Sequence, residues 1–326
     1  MNLIDSINKW VAHHNLIKKD QAILIGLSGG PDSVFLLHYL KMRQKELNLK
    51  LIAAHLDHQW RATSAKDELF CQELCHNLEV PFESATISTL GLTCKESGSK
   101  EQDARNARRY FFQSLAKKYG ADSIALAQHK DDQQETFFIR LLRGATVTGL
   151  ASIWPEHGIY IRPLLAVSKM EILDWLKEHN IAYVIDETNT SPDYLRNRIR
   201  HELIPTIINI DSRADQNITK AIDHLQSAEL FLKQLTTEQF KTIAHYETIE
   251  KKYVINIKLF LAQDPFMQYR LLIHWLTLET VQLPASQSFL NEIIRFFKQP
   301  AGKDHAIHHN WHIVKRKGLC FIKSMY

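Results

Sequence analysis

Ser28-Gly29-Gly30-Pro31-Asp32-Ser33 is the stretch whose residue types could do chemistry, and that chemistry is the holding of a phosphate group. Two glycines let the backbone approach an anion closely, and amides at a helix N-terminus aim partial positive charge at it. Ser28 and Ser33 add a hydroxyl on either side. The common phosphate loop, G-x-x-x-x-G-K-[ST], puts a lysine over the outer phosphates; here Asp32 stands where a cation would be expected. Two further polar clusters follow apolar runs: His55-Leu-Asp57-His58 with Arg61, and His129-Lys-Asp-Asp132-Gln-Gln-Glu135-Thr136. Asp132 and Glu135, three apart at a helix start, share a face. They can cap that helix, or hold a magnesium ion or a substrate amine, and the residues alone leave these readings open.

Strands and helices must position these clusters. Ala22–Leu27 reads as a buried strand, and Val34–Leu40 as the helix after the loop. Leu51–Ala54 is a strand leading into the His55 cluster, and Lys66–Leu78 a helix with Phe70, Leu74 and Leu78 on one stripe. Phe82–Ile87 reads as a third strand, Gly91–Lys100 as a mobile polar loop, and Asp103–Tyr119 as a basic amphipathic helix stopped by Gly120. Ser123–Ala127 is a further buried strand running into the His129 cluster, whose helix ends near Gly144. This alternation is the pattern of an α/β fold with a doubly wound parallel sheet. Ligands of such sheets bind at the carboxyl ends of strands near the switch in strand order, and all three polar clusters fall at strand ends. Ser168-x-x-Glu171 is a capping box for a helix through Trp175 and Leu176, and Ser191-Pro192 starts a helix over Asp193–His201.

Three regions are expected: a catalytic domain over 1–210, a helical linker over 211–250, and a small α+β domain over 251–326. Strands of the last are expected at Tyr253–Ile257, His312–Lys315 and Leu319–Ile322, after a long polar-faced helix over 213–245. His305-Ala-Ile-His-His-Asn-Trp-His312 has no cysteine ligand nearby. It reads as a polar loop that contacts RNA together with Lys315-Arg-Lys317, with Trp311 either stacking on a base or joining the core.

Composition is that of an ordinary globular protein, expected in the cytoplasm. The 326 residues are 45% hydrophobic and 23% charged, and no apolar run approaches a membrane span. Cys71, Cys75, Cys94 and Cys320 form neither a disulfide framework nor a C-x-x-C motif, as expected of thiols in a reducing compartment. The net charge of +4 is uneven: residues 211–326 carry 15 Lys and Arg against 11 Asp and Glu, and the remainder balances. Such a surplus permits nucleic-acid binding without requiring it.

The Ser-Gly-Gly-x-Asp-Ser loop resembles the pyrophosphate loop of the N-type ATP pyrophosphatases, the PP-loop superfamily, which cleave ATP between its α- and β-phosphates. The other blocks make the resemblance more specific. They are His55-Leu-Asp-His58 with Arg61, Asp103-Ala-Arg-Asn-Ala-Arg-Arg-Tyr110, Ala127–Thr136, Leu141-Leu-Arg-Gly144, Arg162-Pro-Leu-Leu165, Asp186-Glu-Thr-Asn189 and Tyr194-Leu-Arg-Asn-Arg-Ile-Arg200. In order and spacing they resemble the tRNA(Ile)-lysidine synthases over residues 20–205. The resemblance implies that ATP adenylates the C2 oxygen of the wobble cytidine in a CAU anticodon, releasing pyrophosphate. The ε-amine of free L-lysine then displaces AMP and leaves lysidine. It implies ATP contacts from Ser28, Gly29, Gly30, Pro31, Asp32 and Ser33, and from His55, Asp57 and His58. Asp32 would act with magnesium, and Asp132 and Glu135 would bind the lysine ammonium and take its proton. Arg61, Arg105, Arg108, Arg109, Arg196 and Arg200 would contact tRNA or phosphates. The expected partners are tRNA(Ile), lysine and, as a candidate assembly, a second copy of the chain, with no membrane. Three other functions compete with this one: a PP-loop tRNA thiolase, an amidating synthetase, and a non-catalytic nucleotide-binding RNA-binding module. The thiolases use clustered cysteines and the synthetases an ammonia source, and neither signature is present.

Overall fold

The computed structural model describes residues 2–59, 64–90, 100–185, 195–281, 286–300 and 303–325. Trp60–Arg61, Cys94 with residues 91–99 of the expected loop, the Asp186–Asn189 block, and Ser191-Pro192 with Tyr194 lie outside the described residues, and Lys100, expected at the loop's end, opens a helix instead. Two compact units divide the chain, Met1–Gln226 and Ser227–Tyr326.

The first unit opens with α1 (Leu3–His13), then β1 (Ala22–Gly26), α2 (Pro31–Leu47), β2 (Lys50–Asp57), α3 (Ser64–Asn77) and β3 (Phe82–Thr86). There follow α4 (Lys100–Tyr119), β4 (Ser123–Ala125), α5 (Lys130–Leu142), α6 (Val147–Leu150), β5 (Glu156–His157), β6 (Tyr160–Ile161) and α7 (Lys169–Glu178). The sheet order is β3-β2-β1-β4-β6-β5, parallel throughout except for the short β5–β6 hairpin, which sequence reasoning missed. Both faces are covered. Ile23 and Ile25 of β1, with Leu51 and Ala53 of β2, meet α1, α2, α3 and α7 in one core. Leu24, Ile52, Ala54 and Leu56 turn the other way, onto Phe111, Phe112 and Leu115 of α4. This two-sided alternation is why the strands read as unbroken apolar runs.

Helix α4 earns its place by periodicity. Ala104, Ala107, Phe111 and Leu115 recur at three- and four-residue spacing and are buried, leaving the arginines on the outer arc. Its approach to the sheet depends on Gly26, where an added Cβ would stand 2.9 Å from the Phe112 ring. Gly26→Ala should therefore destabilise the protein by about 1–3 kcal/mol in thermal unfolding. Phe112→Leu in the same chain should recover part of the loss by opening space, and no recovery would put the clash elsewhere.

Beyond α7, α8 (Leu195–Arg198) runs through a π-helical turn (Ile199–Leu203) into α9 (Ile204–Ile210). The expected helix over Asp193–His201 thus continues to Ile210, and a π turn interrupts it. Helix α10 (Ala214–Ile243) fits the expectation of one long helix.

The second unit holds β7 (Ala244–Glu247), β8 (Lys252–Asn256), α11 (Ile257–Leu261), α12 (Pro265–Leu278), α13 (Gln287–Lys298), β9 (Asp304–His308), β10 (Trp311–Arg316) and β11 (Leu319–Ser324). Its antiparallel sheet, β7-β8-β11-β10-β9, turns Ile255, Ile313, Cys320 and Ile322 onto Trp275, Leu271 and Phe297. The histidine-rich stretch expected as a loop is a hairpin instead: His305 and His308 lie in β9, and Trp311 and His312 in β10. Hydrogen bonding to a neighbouring strand overrode a composition that reads as loop. Trp311 packs against the core.

Among the described residues no helix is long and apolar enough to cross a membrane. No group of three or more His, Cys, Asp or Glu side chains among them is arranged to hold a metal.

Candidate functional site

The strand order creates the site. The chain runs outward from β1 through β2 to β3, then β4 returns to the other side of β1. The switch point therefore lies between the carboxyl ends of β1 and β4, where a crevice opens in such sheets. The Ser28–Ser33 loop follows β1 and the His129 cluster follows β4, so the topology brings two of the three polar clusters together there.

The loop after β1 is pre-formed by its own hydroxyls. Buried Ser33 donates from Oγ to the Gly30 carbonyl at 2.9 Å and accepts from the Ser28 amide at 3.1 Å. Gly29 has φ +83°, and a Cβ there would press on Cys71 Sγ at 3.2 Å and Val184 at 3.3 Å. Only glycine combines that backbone with that closeness. The Val184 amide donates to the Gly29 carbonyl at 2.9 Å, fixing the loop from behind. Gly30 caps the 17-residue α2 without a side-chain hydrogen bond, and Pro31 follows at its first position. The amides of that first turn are left for an anion.

Asp32 lies in the first turn of α2 and accepts from Lys169 Nζ at 2.6 Å. Its other oxygen is 3.8 Å from His129 Nε2, and the same nitrogen is 3.5 Å from Asp132. His129 is 4% exposed, so it stands between the two carboxylates with almost no solvent. Asp131 accepts from the Lys169 amide at 3.4 Å. Burial raises the Asp131 pKa, against the opposing pull of His129.

Asp132 caps its own helix, accepting from the His129 amide at 3.1 Å, and also accepts from Arg196 Nη2 at 3.1 Å. The capping reading holds for Asp132, and the cation it meets here is the Arg196 guanidinium. Glu135 is fully buried. It accepts from Arg196 Nε at 2.6 Å and from Arg200 Nε at 2.5 Å and Nη2 at 3.1 Å. Burial depresses the Arg200 pKa, but the hydrogen bond and charge of Glu135 outweigh it and leave the pKa raised. Arg196 and Arg200, expected as a basic stripe, thus turn inward onto α5.

The remaining expected residues divide differently. His55 is buried and its Nδ1 lies 2.9 Å from the Leu27 carbonyl, bracing the end of β1. Asp57 accepts from the Gln59 amide at 2.6 Å and from Ser64 Oγ at 3.0 Å, shaping the turn after β2. The α4 arginines separate. Arg108 donates to His58 Nε2 at 2.9 Å, Arg109 lies over the Tyr160 ring at 5.9 Å, and Arg105 is exposed. Sequence reasoning missed Lys169, which reads locally as the first residue after the Ser168 cap. It also missed Asp215, which accepts from Lys130 at 2.7 Å and Gln134 at 2.9 Å and so ties the start of α10 to α5.

Burial, with Arg108 alongside, pushes the His58 pKa down to about 4. In the unfolded chain it would titrate near ~6.5. Between those values only the unfolded chain takes up the proton, so this histidine costs stability as pH falls from ~6.5 to about 4 and nothing above. Melting temperature followed against pH should drop less steeply over that range in His58→Gln than in the unaltered chain. Parallel curves would remove His58 as a cause.

Asp32 is suited to magnesium, which usually takes one or two carboxylates from protein and the rest of its ligands from phosphate and water. The crevice thus offers helix amides for phosphate, one carboxylate for a metal, and beside them a carboxylate–guanidinium cluster.

Comparison with known proteins agrees with this geometry. Residues 2–207 match the PP-loop domain family. A tRNA(Ile)-lysidine synthase of Bacillus cereus is 32% identical over 309 residues, covering 92% of this chain and 65% of that protein. The namesake of Clostridium tetani is 37% identical over 260 residues, covering 77% and 55%. That of Bacillus subtilis is 35% identical over 243 residues, covering 73% and 51%. The chain therefore spans between half and two thirds of the length of these relatives. Among solved structures, a U34-tRNA thiolase of Methanococcus maripaludis superposes with a TM-score of 0.58 at 16% identity, over 69% of this chain and 78% of that one. At that identity the likeness is one of fold alone.

Proposed function

Because the chain belongs to the PP-loop domain family, we propose that it ligates lysine to C2 of the wobble cytidine in the CAU anticodon of tRNA(Ile), using ATP and giving lysidine. The observation that carries this reading is identity of 32% across 92% of the chain to a protein named for that reaction. The helix-mouth loop and the carboxylates beside it agree with it. ATP would lie with its phosphates against Ser28–Ser33, with magnesium on Asp32. Attack by the cytidine oxygen on the α-phosphorus expels pyrophosphate and converts a poor leaving group into AMP. The lysine amine, once deprotonated, displaces that AMP. His55, Asp57 and His58 would shape the nucleotide pocket from the end of β2.

We assign the ammonium to Asp132, whose side chain keeps 17% exposure, with Glu135 acting from behind. Glu135 holds Arg196 and Arg200 through both its oxygens, so its part is to keep those guanidiniums beside the amine and the tRNA. Arg61, Arg105, Arg108 and Arg109 would add phosphate contacts. Substrates of this kind place the reaction in the cytoplasm. A homodimer and the assignment of residues 251–326 to tRNA binding belong to the same proposal.

The test is mass spectrometry of the wobble nucleoside after a CAU-anticodon transcript is incubated with the protein, ATP, magnesium and lysine. Lysidine should appear only when ATP and lysine are both present. Unmodified cytidine, or modification that requires sulfide instead, would reject the reading.

A further inference from the structure

We propose that Lys169 is the phosphate-binding cation of this site, supplied from α7 in place of the lysine that the loop lacks. The proposal rests on the reading that the loop after β1 takes the phosphates of ATP. Lys169 Nζ lies 2.6 Å from Asp32 Oδ1, so the ammonium stands beside the first turn of α2, whose amides are left for an anion. The P-loop arrangement needs a cation and helix amides on one phosphate group. This fold assembles the two from elements 137 positions apart in sequence.

The pair is built to exchange. Its side chains are 32% and 28% exposed, so water and ligand reach both. Ion pairs as exposed as this hold their partners weakly. The Lys169 backbone is pinned by the capping box of Ser168 and Glu171 and by the contact of its amide with Asp131. Its flexible four-carbon stem is free of that constraint. Without nucleotide, Lys169 cancels a carboxylate that would otherwise repel a triphosphate. With nucleotide, magnesium takes Asp32 and the ammonium passes to the outer, pyrophosphate half. No covalent step is involved: the lysine binds and hands over one charge partner for another.

Calorimetric binding of α,β-methylene-ATP to the full chain tests this, with AMP as the control ligand. Lys169→Met should weaken the analogue about tenfold or more in the presence of magnesium, leave AMP within about twofold, and hardly move the melting temperature. Lys169→Arg should bind the analogue within a few-fold of the unaltered chain. Asp32→Asn, which releases Lys169, should improve binding of the analogue without magnesium several-fold. An unchanged analogue affinity in Lys169→Met, or an equal loss for AMP, overturns the proposal while leaving the nucleotide site intact. Failure of the unaltered chain to bind the analogue would overturn the loop reading and this one with it. Should Lys169→Met not fold, the metal-free arm with Asp32→Asn still decides, since no improvement there also overturns the proposal.

Discussion

Asp32→Ala should lower pyrophosphate release dependent on tRNA and lysine by about a thousandfold or more, while tRNA retention on a filter stays within about twofold. The asymmetry follows from where Asp32 sits. It is in the first turn of α2, bonded to Lys169 and near His129. Removing it would take away the carboxylate proposed to hold magnesium against the phosphates, so the ion could no longer stabilise charge on the departing pyrophosphate. The helix amides and Lys169 remain, so nucleotide still binds without its productive metal. The basic surfaces proposed to grip tRNA are other residues. Equal loss of tRNA retention and of pyrophosphate release would refute that separation of surfaces.

Glu135→Ala should destabilise the protein by about 3–5 kcal/mol in urea unfolding and abolish lysidine formation. Both oxygens of this fully buried carboxylate are occupied by Arg196 and Arg200. Its removal leaves two half-buried guanidiniums facing each other across a void, with no anion between them. The cost is that of stranded charges, and exceeds what the intact cluster adds relative to an apolar one. A triple change tests this: Glu135→Leu with Arg196→Met and Arg200→Met should restore much of the stability without restoring activity. A loss under about 1 kcal/mol for the single substitution would mean that water already screens the cluster. Glu135 is expected from the family resemblance to sit in the lysine pocket with Asp132. Here it first organises two arginines.

How much of this was legible depends on range. The strand–loop–helix at Ala22–Leu47, the capping box at Ser168 and the basic face of α4 were readable because each signal lies within one or two turns of chain. The three polar clusters were expected at strand ends, and their described residues are there. The edge strands β7 and β9 were missed. Ala-His-Tyr-Glu and Asp-His-Ala-Ile-His carry no apolar alternation strong enough to announce a strand, and hydrogen bonds to the adjacent strands β8 and β10 complete them. The π turn at Ile199–Leu203 had no sequence signal, although it carries Arg200 to Glu135.

Taken alone, the sequence determined the α/β class, the phosphate loop and the identity of its acidic residue. These depend on local backbone needs: a left-handed glycine, unbonded amides in a first helical turn, and apolar runs long enough to be buried on both sides. Only the tertiary structure decided which charges meet. Asp32 could have faced a metal alone, yet finds Lys169; Arg196 and Arg200 could have lain open to solvent, yet close on Glu135. Those pairings bridge 61 to 137 positions. Coulomb attraction has no preference in sequence distance. Partners are chosen by the strand order that gathers the ends of β1 and β4 at one crevice and, at fully buried Glu135, by the low dielectric that forbids a buried charge to stay alone.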